Sequence, residues 1–108
     1  MKQTKKRTKN VALSRQKLNE LIVTLESCHN ALTDHKNFNL AEVHINEYLD
    51  ALPKQHHDAT VTKSIEHALK KRDFELLRSA VESELERLRL MRINLLRDNI
   101  AQRKVSHY

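Results

Sequence analysis

Residues 61–104, VTKSIEHALKKRDFELLRSAVESELERLRLMRINLLRDNIAQRK, run without a glycine or a proline. Ile65, Leu69, Leu77, Val81, Leu85, Leu88, Met91 and Leu95 recur in it at helical spacing, so the stretch predicts a long amphipathic α-helix. As one helix it would span about 66 Å at 1.5 Å per residue, roughly twice the diameter of a small domain. The alternative is two helices broken near Lys71–Asp73, where KKRD interrupts the stripe and Asp73 can cap. The immediate return of Phe74, Leu76 and Leu77 favours continuity or a mild bend. Arg72 and Glu84 fall on or beside the seam that an extended coiled coil would need, which argues for packing within a small bundle.

Upstream of that segment, Leu18, Leu21, Ile22, Leu25, Cys28 and Leu32 place an apolar stripe on a first helix of roughly seven turns, about 39 Å long. The polar stretch 33–39 follows, in which Asn39 and Glu42 read as an N-cap with a reciprocal glutamate. A shorter helix then presents Ala41, Ile45, Tyr48, Leu49 and Leu52, and Pro53 stops it by removing a donor and disfavouring helical geometry in the residue before it. Lys54–Asp58 is a connector, with Asp58 or Thr60 as the next cap. Laid antiparallel along the last segment, the two early helices nearly match its length. The expectation is an all-α fold, an antiparallel helical hairpin or small bundle with a long C-terminal helix: residues 1–10 as a flexible basic arm and 11–108 as a single helical domain.

The whole chain of 108 residues holds no Gly at all, which excludes phosphate-cradling glycine loops and dinucleotide fingerprints. Its net charge of +6 is unevenly placed. Lys2, Lys5, Lys6, Arg7, Lys9, Arg15 and Lys17 lie in the first 17 residues with no acid among them, and the other 91 residues carry 13 cations against 14 acids. One cysteine cannot form an intramolecular disulfide, no signal-peptide apolar stretch follows the basic start, and no run reaches transmembrane length. The chain therefore reads as soluble and cytoplasmic, without a membrane span.

Catalytic and metal chemistry find little support. His56, His57 and Asp58 cluster in a solvent-facing loop, but adjacent side chains rarely converge on one ion, so they read as polar loop residues and no metal site is assigned. Cys28 and His29 are neighbours whose side chains point about 100° apart on a helix, which leaves the thiol as a packing group. Glu82, Glu84 and Glu86 alternate with apolar and basic residues as a surface pattern. No enzyme activity and no cofactor follow. The apolar set Leu88, Leu90, Met91, Ile93, Leu95, Leu96 and Ile100 goes almost all round the last helix, more than one partner face can cover. It predicts self-association, as a homo-oligomer, or a groove for a partner helix.

Ile65-Glu66-His67-Ala68-Leu69 leading to Asp73, then Leu77, Val81, Leu85 and Leu88, and the closing Arg103-Lys104-Val105-Ser106-His107-Tyr108 give the chain a further character. In this layout it resembles the small all-helical flagellar export chaperones of the FliT type over about residues 14–108, with the basic arm as a departure. The resemblance implies a cytosolic chaperone that shields an amphipathic segment of the filament-cap protein before export, with the last helix partly occupying its own client groove. On that reading Leu88, Met91, Leu95 and Leu96 are the expected partner contacts, with Arg92 and Arg97 at the rim. The alternative is a small dimeric nucleic-acid-associated regulator that tracks phosphates with Lys2, Lys5, Lys6, Arg7 and Lys9.

Overall fold

The computed structural model describes the backbone of residues 13–106 and the side chains of residues 13–97. Among them are four α-helices: α1 (Arg15–Thr33), α2 (Phe38–Ala51), α3 (Ala59–Lys71) and α4 (Phe74–Ser106), with a single 3₁₀ turn at Lys54–His56 and no strand. The all-α small bundle with a long last helix is thus the architecture of the chain.

Each helix starts where a short polar side chain takes over an orphan N–H. Ser14 Oγ accepts from Lys17 N at 3.0 Å, Asn37 Oδ1 from Leu40 N at 3.0 Å, Asp58 Oδ1 from Val61 N at 3.1 Å and Asp73 Oδ1 from Leu76 N at 3.0 Å. Two boundaries differ from the sequence reading. Capping by Ser14 holds α1 to 19 residues, about 28 Å rather than 39 Å. Asn37, not Asn39, caps α2; with Phe38 already helical, Asn39 Oδ1 instead accepts from Arg72 Nη2 at 2.9 Å, and Glu42 faces the same guanidinium.

The long C-terminal segment is two helices, against the expectation of continuity. Arg72 adopts the left-handed conformation (φ 52°, ψ 45°), its N–H closes on the carbonyls of Ala68 and Leu69, and Asp73 N donates to Ala68 O at 2.9 Å before its side chain opens α4. A left-handed non-glycine residue costs roughly 1–2 kcal/mol. The cost is offset because the turn folds α3 back on α4, so that Ile65 and Ala68 join the core. Arg72 also gains neighbours there: its guanidinium lies 4.7 Å from the centroid of the Phe38 ring.

Cross-helix bonds set the directions. His29 meets Glu82, Glu26 meets Arg89 and Asn19 meets Arg92, so α1 runs antiparallel to α4. Along α2, Asn39 meets Arg72 and Tyr48 meets Glu84, so α2 runs with α4. The core lies between them. It takes Leu18, Leu21, Ile22, Leu25 and Leu32 from α1, Ile45 and Tyr48 from α2, and Leu77, Val81, Leu85 and Leu88 from α4. Each large aliphatic side chain buried in this way contributes roughly 1.5–3 kcal/mol before entropy is counted.

Among the described residues, Lys36, in the α1–α2 loop, is the other non-glycine residue with positive φ, at 53°, and is exposed. Lys36→Gly removes the Cβ clash without removing a packed group. We expect it to stabilise the chain by about 0.5–1 kcal/mol, read as a higher urea midpoint at unchanged slope.

Candidate interaction surface

α4 is the axis of the bundle, and its faces have different fates. One phase of the helix, Leu77, Val81, Glu84, Leu85 and Leu88, is buried, and Met91, Arg92 and Leu95 continue it half-buried. The opposite phase is open: Leu90 is 56% exposed and Ile93 49%. Leu96, 38% exposed, lies off that line, on the flank of the helix that carries Leu85 and Arg92. α1 flanks this strip on one side; α3 packs on the other side of α4 ahead of it, where Thr60, Val61 and Ser64 line a cleft of about 160 Å³ with Leu76, Ser79, Ala80 and Ser83.

The six residues expected to contact a partner are therefore split. Leu88 is fully buried core, and Met91 and Leu95 pack against that core. Arg92 is half-buried and donates from Nη1 to Asn19 Oδ1 at 2.9 Å, tying α4 to α1. Leu96 and Arg97 are exposed. The sequence reading passed over Leu90 and Ile93 as contacts, although both belong to its all-round apolar set, because it continued the stripe of the core into the far half of the helix. Taking the phase half a turn away from Val81, Leu85 and Leu88 would have found them. It also passed over Val23, 59% exposed, which shares an α1 stripe with Asn19 and Glu26. Ile100 lies among residues whose side chains are outside the description, and Lys2, Lys5, Lys6, Arg7 and Lys9 lie outside the described residues.

Charge lines the apolar strip. A groove of about 410 Å³ between α1 and α4 is walled by Glu26, His29, Asn30, Glu82, Leu85 and Arg89. His29 Nε2 lies 2.9 Å from Glu82 Oε2, Arg78 Nη1 approaches the same oxygen at 3.5 Å, and Arg89 Nη2 donates to Glu26 Oε2 at 2.9 Å. The hydrogen bond from His29, helped by the Arg78 charge, holds the Glu82 carboxyl below its ordinary range. A second depression of about 460 Å³ adjoins this groove along Glu82, Glu86, Arg89, Leu90 and Ile93. Both are shallow and mixed in polarity, suited to a side chain from another helix.

The remaining polar clusters are structural. Glu82 and Glu86 are exposed, but Glu84 is only 2% exposed, so the three acids are not one surface pattern. Glu84 accepts from the Tyr48 hydroxyl and, on both oxygens, from Arg87, at 2.9 Å from Nε and 2.6 Å from Nη2. Arg87 Nη2 also donates to His56 O at 3.0 Å, which pins the α2–α3 connector to α4. Burial and the Glu84 carboxylate push the Tyr48 hydroxyl upward, so it stays a donor. The connector is less open than expected: His56 and His57 are half-buried, and His57 Nε2 donates to Leu52 O at 2.9 Å. A polar chain segment here satisfies its own carbonyls because Pro53 ends α2 and leaves them unpaired.

Among the described residues, no group of three or more His, Cys, Asp or Glu side chains is placed to hold a metal ion, and no helix is long and apolar enough to cross a membrane. Cys28 Sγ donates to Ala41 O at 3.3 Å, and burial pushes its thiol up to about 12, so at neutral pH it is a packed, un-ionised group. No family model matches the chain, and no match to it was found among curated proteins or among solved structures.

Proposed function

We propose that the protein is a non-enzymatic chaperone or adaptor of the cytoplasm that shields an amphipathic helix of a partner protein on the open strip of α4. The supporting observation is the exposure of Leu90 and Ile93 on one side of a helix whose other side is core. A partner helix laid there buries its apolar stripe against these two side chains, while Glu86 and Arg97 before and after them and Glu82 and Arg89 toward α1 select its flanking charges. The resemblance to FliT-type chaperones makes a flagellar or type III export subunit the first partner class to try.

The test is a titration of a fluorescent peptide carrying the amphipathic segment of a flagellar filament-cap subunit, against a scrambled peptide of the same composition. Ile93→Asp is expected to weaken binding at least tenfold, about 1.4 kcal/mol, with helicity unchanged. Equal binding by the variant, or no preference for the amphipathic peptide, overturns the reading.

The segregation of seven cations into residues 1–17 favours one second reading, a nucleic-acid-associated regulator. It requires retention of DNA or RNA that falls steeply with salt and disappears when residues 2–10 are deleted. The chaperone reading requires that this deletion leave peptide binding intact.

A further inference from the structure

We infer that, without a client, the open strip of α4 is covered by α4 of a second copy of this chain, antiparallel, about a two-fold axis that crosses the helix between Leu90 and Ile93. The inference rests on the reading of that strip as the partner site and names what occupies it at rest.

Four residues carry it. Glu86, Leu90, Ile93 and Arg97 are all exposed, and at 100° per residue they fall within about 60° of one another on the helix surface. Their spacing of four, three and four is the same read from either end. An antiparallel second helix therefore places Leu90 opposite Ile93 of the partner subunit, Ile93 opposite the partner's Leu90, and a Glu86–Arg97 pair at each end. The steps of three and four are those of a heptad seam, and in this alignment every apolar residue meets an apolar one and every acid meets a base. A slide of one heptad breaks it, because Ile93 then meets an arginine or Leu90 a glutamate. A parallel arrangement sets glutamate on glutamate and arginine on arginine, which costs several kcal/mol of specificity.

The surroundings allow the approach. α1 lies on one flank of α4, the α3 cleft borders α4 along Leu76 to Ser83, ahead of the strip, and the depression along Glu82, Glu86, Arg89, Leu90 and Ile93 is lined by α4 side chains. Arg89, beside the seam, is already neutralised by Glu26 and adds no repulsion. A strip this narrow buries less than the roughly 1,200–2,000 Å² of a standard stable interface, so the pair is a weak one that a client helix can displace.

Sedimentation equilibrium of the full chain, without peptide, from about 5 to 500 μM decides it. The chain is expected to pass from monomer to dimer over this range. Glu86→Arg alone and Arg97→Glu alone each make two like-charge contacts across the axis and are expected to stay monomeric. Mixed in equal amounts, the two variants form opposite-charge pairs at both ends and are expected to dimerise again, as is the double variant on its own. A wild-type chain monomeric throughout, single variants that still dimerise, or no recovery on mixing overturns the inference. None of these outcomes touches the client reading, which the Ile93→Asp peptide titration tests separately.

Discussion

Arg87→Met is expected to cost about 3–5 kcal/mol of stability, a large share of the roughly 5–15 kcal/mol that holds a domain of this size. The reason is what stays behind. Glu84 is 2% exposed and takes hydrogen bonds on both carboxylate oxygens from Arg87; without the guanidinium its charge remains buried with only the Tyr48 hydroxyl for company. The same change frees His56 O and loosens the connector that starts α3. Arg87 is itself partly exposed, so some water reaches the gap and the lower end of the range is the expected result. Urea denaturation followed by circular dichroism measures it. The triple variant Tyr48→Phe, Glu84→Leu, Arg87→Met separates a broken ion pair from a needed one. With no polar group left to satisfy, it should recover most of the loss, because buried ion pairs replaced by packed apolar groups are often neutral. If the triple variant is no more stable than Arg87→Met, the loss comes from packing or from the connector, not from a stranded carboxylate.

How much of this was legible beforehand follows from the range of the signals involved. The helices were, because apolar spacing of three and four is a local property of Leu18 to Leu32 and of Leu77 to Leu88. The break near Lys71–Asp73 was legible as the alternative, from KKRD and the Asp73 cap, but not as the preferred reading. A left-handed residue is normally announced by glycine, and here Arg72 takes that conformation for the sake of α3 packing and of contacts with Phe38 and Asn39, more than 30 positions away in sequence. The buried state of Glu84 was hidden for the same reason, since its donor Tyr48 sits 36 residues upstream on another helix. Asn37 and Asn39 are equally good caps by residue type, and the choice between them depends on Arg72 having claimed the second. The interaction strip was half legible. Its apolar residues stood in the open, but which of them the bundle consumes depends on where α1 and α3 dock, and the length of neither contact is written in α4.

That sorting of α4 gives the second large effect, a contrast between two leucines on one helix. Leu88→Ala removes a fully buried side chain from the meeting point of the helices and is expected to cost about 2–5 kcal/mol, with the unfilled cavity deciding where in that range it falls. Leu90→Ala, two residues on, is expected within about 0.5 kcal/mol of wild type, since that residue is already 56% exposed. Aspartate sharpens the contrast. At 88 it buries a carboxylate with no cation within the core and should leave the chain unfolded at room temperature, whereas at 90 it should leave helicity and the urea midpoint nearly unchanged. Partner binding must move the other way. Leu90→Asp should weaken the peptide complex as Ile93→Asp does, while Leu88→Ala, measured at a concentration of urea low enough to keep it folded, should bind nearly as wild type. A large stability loss at Leu90 would mean that the bundle itself covers that face, and then neither a client nor a second copy has a place on it. Leu95, half-buried against the core, cannot make this distinction, because its replacement by aspartate perturbs both surfaces at once.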